Sequence, residues 1–513
     1  MTEAPPRAAL RETARGGMVG LLGAVVGAAG GFALTVVVAR ALGPETTGVF
    51  FIVVALVTIV GEITELGADT GLVRMAAAER ALGRTGALRH LLRTALVPVA
   101  IVSVLAAAVL ALLVEPLLPV LFDGGLDEAE LFLYLGVPAV AVWALRTVAL
   151  AGTRGLGSVA SFALVNNVAL PAARPLLVLA CLVLGLPAWT VMASWTLPAV
   201  AAAGVALWLL WRVLRRVERD EPPTAPAPPR RETTRAFWSF SGVRGVAAAV
   251  EIAIIWLDVL IVGAMVAAFD AGLYATTSRF ITTGTLVLAA TRIAIAPQIS
   301  ALLARGAKPE AERLNAVATT WIVAGSWPLY LVLALGGPFV LTLFGPEFAE
   351  GATALAILSG AMLVSLLAGN VQTVLLMGGK SSWSLANKAL ALAVMIVADL
   401  LLVPSHGIVG AAVGWALTMV VSNGLAAVQV RYGMRLRLLP SGPLKVALGA
   451  LVCFGGAGLA VRAALGMDGP AFALMCASGG IAYAGVLYAL RSTLHLDELL
   501  GAVRRGKGRR EHG

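Results

Sequence analysis

The stretch from Arg212 to Arg244 reads RVLRRVERDEPPTAPAPPRRETTRAFWSFSGVR, and its character sets the reading of the whole chain. It is polar and rich in Pro and Arg, whereas the sequence on either side is almost continuously apolar. Such a segment buries too little apolar surface to offset the entropy of ordering it, so it is expected to be a mobile, extended connector. It divides a membrane protein into two lobes.

Working outward, the 513 residues are 59% hydrophobic and only 13% charged, against about 25% charged in a soluble domain. Several uncharged runs reach the roughly 20 residues needed to cross a bilayer core. The alternating segments of about ten residues that mark a membrane β-barrel are absent. Arg7, Arg11 and Arg15 precede an apolar run too long for a signal peptide, so the first span is expected to be retained. A net charge of +10 in such a chain reads as topology signals beside spans, and no nucleic-acid partner is expected. Cys181, Cys453 and Cys476 lie in apolar runs and read as small core residues, with no disulfide or metal framework. The four histidines show no ligand spacing. Gly379-Lys380-Ser381 resembles the end of a phosphate loop, but the required first glycine is Val374, so neither an ATP site nor another cofactor is expected.

The hydrophobic pattern predicts an all-α polytopic membrane protein with about fourteen spans. They fall near 17–39, 47–66, 94–114, 131–151, 158–184, 188–211, 240–266, 272–298, 315–337, 352–378, 384–404, 408–430, 443–463 and 469–490. The expected organisation is a six-helix lobe over 1–211, a basic Pro-rich cytoplasmic linker over 212–239, a second six-helix lobe over 240–432, and two extra helices with a basic tail over 433–513. With the N-terminus placed inside, all of the 38 Lys and Arg except Arg40, Arg174, Arg279 and Arg462 fall on the inner side. That asymmetry predicts both termini and the linker in the cytoplasm. Gly43-Pro44-Glu45-Thr46-Thr47-Gly48-Val49-Phe50 after span one matches Phe269-Asp270-Ala271-Gly272-Leu273-Tyr274 after span seven. In each outer turn an acid is followed by Gly, an aliphatic and an aromatic. A like-oriented repeat relates two bundles about an axis along the membrane normal, with a substrate site between them.

Here the sequence resembles a known family. ARALGPETTGVF (Ala39 to Phe50) and ELGADTGLVRMAAA (Glu65 to Ala78) are similar to the opening of the polysaccharide-exporting flippases of the multidrug/oligosaccharidyl-lipid/polysaccharide exporter superfamily. WLDVLIVG, DAGLYATTSRF, APQIS, FGPEFAEGATALAIL and HGIVGAAVGWAL follow in family order, so the resemblance covers about residues 16–435. It implies a MATE-like pair of lobes around an alternately opening cavity, in a multi-pass protein of the bacterial cytoplasmic membrane. It implies a polyprenyl-diphosphate-linked saccharide moved from the inner to the outer leaflet. The expected partners are that lipid-linked saccharide, membrane lipids, and glycosyltransferases or a polymerase of the same pathway. The protein is expected to be a monomer.

A flippase must carry a charged headgroup through about 30 Å of hydrocarbon, and ionisable residues inside spans are the first candidates. Arg40, Arg146, Arg174, Arg279 and Arg292 are diphosphate candidates because a guanidinium fork matches phosphate oxygens. Arg40 and Arg146 equally fit snorkelling to the interfaces, and Arg174 stands between Pro171 and Pro175. Asn166 and Asn370 are sugar-hydroxyl candidates, or bonds to neighbouring helices. Glu251 and Asp258, seven apart on one face of span seven, and Asp399 on span eleven are coupling-ion candidates or members of structural ion pairs, with Arg279 and Arg292 as partners of Asp258. Glu62, Glu65 and Asp69 share a face of span two, as an inward-facing polar doorway or as partners of Arg74 or Arg93. Gly23, Gly27 and Gly31 leave one face of span one bare, for close packing or for bending of a gate helix.

Two other functions compete. A cation-coupled drug or metabolite antiporter of the same superfamily would line its cavity with acids and aromatics. A membrane glycan polymerase or ligase would need a sizeable aqueous loop. The intramembrane arginines point to an anionic lipid, and the short outer loops point away from an enzyme.

Overall fold

The structure, a computed structural model, describes residues 7–122, 128–437, 441–492 and Leu494, with side chains from Leu22 onward apart from Thr283, Ile293 and Ala294. The side chains of Arg7, Arg11 and Arg15, residues 123–127 of the segment expected to be an outer loop, and the basic tail at Arg504 to Arg510 lie outside the described residues.

The described chain is helical almost throughout, as an apolar environment requires of a backbone that must satisfy its own hydrogen bonds. The longer helices of the first part are α1 (Arg7–Thr64), α2 (Ala68–Ala81), α3 (Leu88–Leu112), α4 (Pro138–Gly155), α5 (Leu170–Val183), α6 (Thr190–Asp220), α7 (Arg230–Met265) and α8 (Ala268–Thr283). They are followed by α9 (Leu286–Ala304), α10 (Lys308–Leu341), α11 (Ala352–Leu367), α12 (Val371–Met377), α13 (Ser381–Val428), α14 (Ser441–Ala450), α15 (Ala457–Leu465) and α16 (Gly469–Ala489). The protein is a multi-pass membrane protein: 11 helices among the described residues are long and apolar enough to cross a membrane, or 12 with the bent pair in α9. The count falls below the expected fourteen chiefly because two stretches run on through a break. Leu22–Thr64 has 43 residues and Ser381–Gly433 has 53, each long enough at about 1.5 Å per residue to pass the hydrocarbon more than once. Their breaks are Gly43, with φ 71° and Pro44 behind it, and Gly407, with φ 54°. A left-handed backbone is open to glycine at little strain, and both breaks lie where the hydropathy separates two spans.

The chain divides into two compact units with the border between Ala275 and Thr276. In the first, Leu72, Leu88, Leu91, Val148, Leu150 and Phe237 form a fully buried core. In the second, Ile299, Val371, Leu375 and Val430 form one core, and Val446, Ala450, Phe454 and Tyr483 from the two extra helices form another with Val323 and Leu331 of α10.

The connector departs from expectation. The helices α6 and α7 run to Asp220 and from Arg230, so only 221–229 is non-helical. Leu210, Leu214 and Val217 keep a helical apolar stripe going into the polar stretch, and they are buried. The non-helical part is docked: the Thr224 and Ala225 amides donate to the Gly83 carbonyl at 2.9 and 3.2 Å. Arg80 donates to both oxygens of Glu221 at 2.8 and 2.5 Å and to the Leu156 carbonyl at 2.8 Å. Composition registered the charges, but not that Glu221 had its partner in Arg80 beside the α2–α3 turn.

Hydrogen bonding from Arg80 holds the Glu221 carboxyl below its usual range. A depressed carboxyl adds stability that is in place at neutral pH and is lost as pH falls through the depressed value, below about 4. Both side chains are over a third exposed, so the effect is small. Protection of the Thr224 and Ala225 amides from hydrogen exchange, relative to the intrinsic rate at each pH, is expected to fall below about pH 4, and at neutral pH in Glu221→Gln. Equal protection in that variant would remove the clamp from the account.

The two matched turns meet inside the first unit. A Cβ on Gly48 would lie 1.7 Å from the Ala268 carbonyl oxygen, and one on Gly272 would lie 2.0 Å from that of Pro44. Each glycine sits against the residue four positions before the other, the reciprocity a two-fold relation between the turns requires.

Candidate functional site

The polar centre of the first unit forms where the second half of α1 faces α4. Gly61 has no side chain, and Trp143 takes the space: a Cβ there would lie 3.0 Å from the Trp143 Cγ. One turn on from each, Glu65 is 2% exposed and Arg146 3% exposed, and their charges attract. Arg146 Nη1 donates to Asn166 Oδ1, and Asn166 Nδ2 donates to Asn167 Oδ1 at 3.0 Å. The Arg146 guanidinium also lies 5.3 Å from the Trp143 ring centroid. Glu65 Oε1 and Arg146 Nε are buried without a hydrogen-bond partner among the described residues.

The asparagines come from a π-helical turn, Ala163–Ala169, ahead of α5. Such a turn widens the helix by a residue and is frequent at functional sites. It is received by the bare face of α1. Cβ atoms on Gly23 and Gly27 would meet the Asn167 side chain at 3.1 Å and its carbonyl at 3.2 Å, and one on Gly30 would meet the Pro171 carbonyl at 2.5 Å. Gly31 faces open space, so Gly30 makes the third contact. Farther along α5, Arg174 donates from Nε to the Trp195 carbonyl at 3.1 Å and lies 4.1 Å over the Trp195 ring. Its Nη2 is buried without a partner among the described residues. Arg174 and Arg146 repel one another, so an anion reaching both would relieve the repulsion.

The acids sit around this centre. Glu62 is half-buried and interacts with Asp69, Glu251 and Arg244. Asp69 interacts with Arg154 and accepts from the Thr70 hydroxyl at 3.1 Å. Arg74, an expected partner of these acids, lies over the Phe240 ring at 4.4 Å. Glu251 is 3.5 Å from Arg244 along α7. Asp258, 3% exposed, accepts from the Tyr274 hydroxyl at 2.5 Å and from the Val259 amide at 2.9 Å. Arg40 is exposed near the Gly43 break.

In the second unit Asn370 is fully buried at the start of α12, and neither amide atom has a hydrogen-bond partner among the described residues. Asn315 is 3% exposed with its Oδ1 likewise unpartnered. Asn387 and Gln429 exchange two amide bonds at 2.8 Å, and Gln372 donates to Ser422. Asp399 is fully buried against Gly414, where a Cβ would lie 2.0 Å from its Oδ1. Arg279 is half-buried and Arg292 exposed.

The structure thus joins Glu65, Arg146 and Asn166, which the sequence placed on three separate spans. Trp143, Trp195 and Tyr274 were not foreseen. Trp143 lies three residues before Arg146 on the same helical face, a visible signal; Trp195 and Tyr274 are brought by packing alone.

A model of the polysaccharide biosynthesis protein family matches residues 13–303. No curated protein is matched by the sequence at a significant level. Among solved structures, the lipid II flippase MurJ in an inward closed conformation shares 11% identity with a TM-score of 0.68, over 94% of this chain and 98% of that one. An inward-facing multidrug resistance MATE family transporter of the MOP superfamily shares 16% identity with a TM-score of 0.63, over 79% and 93%. A MOP superfamily transporter from Pyrococcus furiosus shares 15% with a TM-score of 0.54, over 83% and 95%. These likenesses establish the fold.

Proposed function

The chain is a member of the polysaccharide biosynthesis protein family, and on that premise we propose that it flips a polyprenyl-diphosphate-linked saccharide from the inner to the outer leaflet of a bacterial cytoplasmic membrane. One observation carries the reading: Arg146 and Arg174 stand in the interior of an apolar bundle, with the amides of Asn166 and Asn167 beside them. Buried guanidinium is retained at such a site when it has an anion to meet, because its N–H fork matches diphosphate oxygens. The adjoining amides suit sugar hydroxyls.

In this reading Leu22–Thr64 and Ser381–Gly433 each cross twice, and the bent pair in α9 crosses once. That makes fourteen crossings, with both termini and the connector in the cytoplasm, two like-oriented six-helix lobes and two further helices. Transport runs by alternating access without a covalent step. Asp258, held by Tyr274, is the leading coupling-ion residue, with Glu251 and Asp399 behind it. The protein works as a monomer, supplied by glycosyltransferases of the same pathway.

The acids Glu62, Glu65, Asp69 and Glu251 gathered on one side of the first unit favour a second reading, a cation-coupled antiporter. Vesicles holding the purified protein and a fluorescent polyprenyl-diphosphate sugar separate the two. Leaflet transfer that is lost in Arg174→Ala and in Asp258→Ala, at normal expression, is the expected result. Extrusion of organic cations with no lipid transfer would replace the flippase reading by the antiporter.

A further inference from the structure

Away from the polar centre, α3 and α6 leave a groove of about 380 Å³ between them. Its walls are one face of each helix. Leu92, Leu96 and Val97 come from α3, and Leu207, Leu210 and Leu214 from α6. Both faces carry their charge at the same end: Arg89 and Arg93 at the start of α3, and Arg215 near the close of α6. The groove therefore has one basic end and one apolar end, the polarity of a membrane lipid. Its walls are open to the surroundings: Val97 is 51% exposed and Leu207 39%. Trp211, 51% exposed, stands at the join with the Arg215 guanidinium 3.5 Å from its ring centroid. An indole at that level is typical of a bilayer interface.

The charges do not cancel. Arg89 is clamped by Glu218 in two bonds of 2.6 and 2.7 Å. Arg93 makes no ion pair or side-chain hydrogen bond among the described residues, and Arg215 has only the Trp211 ring. Two cations are thus left over where an apolar groove opens. We infer that this groove binds an anionic phospholipid, its phosphate between Arg93 and Arg215 and an acyl chain against Leu96, Val97 and Leu207. A zwitterionic headgroup would meet the same arginines with its own cation nearby and bind less well. This site is separate from Arg146 and Arg174 and does not depend on the identity of the transported substrate.

Native mass spectrometry of the full chain, released from nanodiscs, tests it with phosphatidylglycerol and phosphatidylcholine as probes. The wild type is expected to retain one phosphatidylglycerol in preference to phosphatidylcholine. Arg93→Gln with Arg215→Gln should weaken that retention about thirtyfold, the product of two basic side chains at a membrane surface. The pair Arg93→Lys and Arg215→Lys, which keeps the charge, should retain most of it. Unfolding temperature in phosphatidylcholine should be the same for all three proteins, which separates lost binding from lost fold. Equal retention of the two lipids by the wild type, or unchanged retention by the glutamine pair, overturns the inference. So does displacement of the lipid by a polyprenyl diphosphate at equal concentration, which would make the groove a substrate doorway.

Discussion

Arg146→Ala is expected to destabilise the first unit by about 1.5–3 kcal/mol, the range for losing a hydrogen bond made by a charged group, and to abolish transport. Glu65 is only 2% exposed, and without Arg146 its carboxylate would remain in the helix interior with no cation. Asn166 would lose its donor at Oδ1 as well. A double-mutant cycle makes the claim quantitative. Glu65→Ala in the Arg146→Ala background should return much of the lost stability, because no unpaired charge is then buried. It should not return transport, because the guanidinium fork is still missing. Arg146→Lys should fold well and transport poorly for the same reason. Unfolding temperature by fluorescence-detected size exclusion and lipid transfer in vesicles give the two readouts. If stability in the double variant equals the sum of the single losses, Glu65 and Arg146 are not coupled.

The second large effect lies at the crossing of the two matched turns. In Gly48→Ala the new methyl would stand 1.7 Å from a carbonyl oxygen of Ala268. Overpacking costs about 1–3 kcal/mol where side chains can turn aside, and more where they cannot. Here the obstacle is backbone, so the two helix starts must separate, and the variant should assemble poorly or unfold well below the wild type. Gly272→Ala should reproduce the defect, since its methyl would stand 2.0 Å from the Pro44 carbonyl oxygen. Gly31→Ala is the control: nothing lies within 4 Å of a Cβ there, and alanine favours helix by about 1 kcal/mol over glycine. A Gly48→Ala protein as stable as the wild type would show that the turns do not depend on this approach.

Both effects trace to contacts between segments far apart in the chain, and this separates what was legible in the residues from what was not. Long uncharged runs can only be helices that cross a membrane, because hydrocarbon offers the backbone no other partner. The helical class, the multi-pass character, the family motifs and the breaks near Gly43 and Gly407 were therefore readable from order alone. So were the individual candidates, since a charge within an apolar run is conspicuous wherever it falls. Which charges meet was not readable. Periodicity assigns a residue to a face of its own helix and says nothing of the helix opposite. Hence Arg74 went to Phe240 and not to the acids, and Tyr274 came to Asp258 unannounced. The polar connector was misjudged for a related reason: composition counts charges, while Arg80, Gly83 and Thr85, which hold its residues down, lie some 140 positions earlier. By itself the sequence determined that this is a helical membrane protein with the motifs of the polysaccharide biosynthesis protein family, because burial in lipid constrains every residue of a span locally. Only the tertiary structure decided that Glu65, Arg146 and Asn166 form one centre and that Gly48 and Gly272 form one crossing, because those contacts depend on how helices pack, which no single helix encodes.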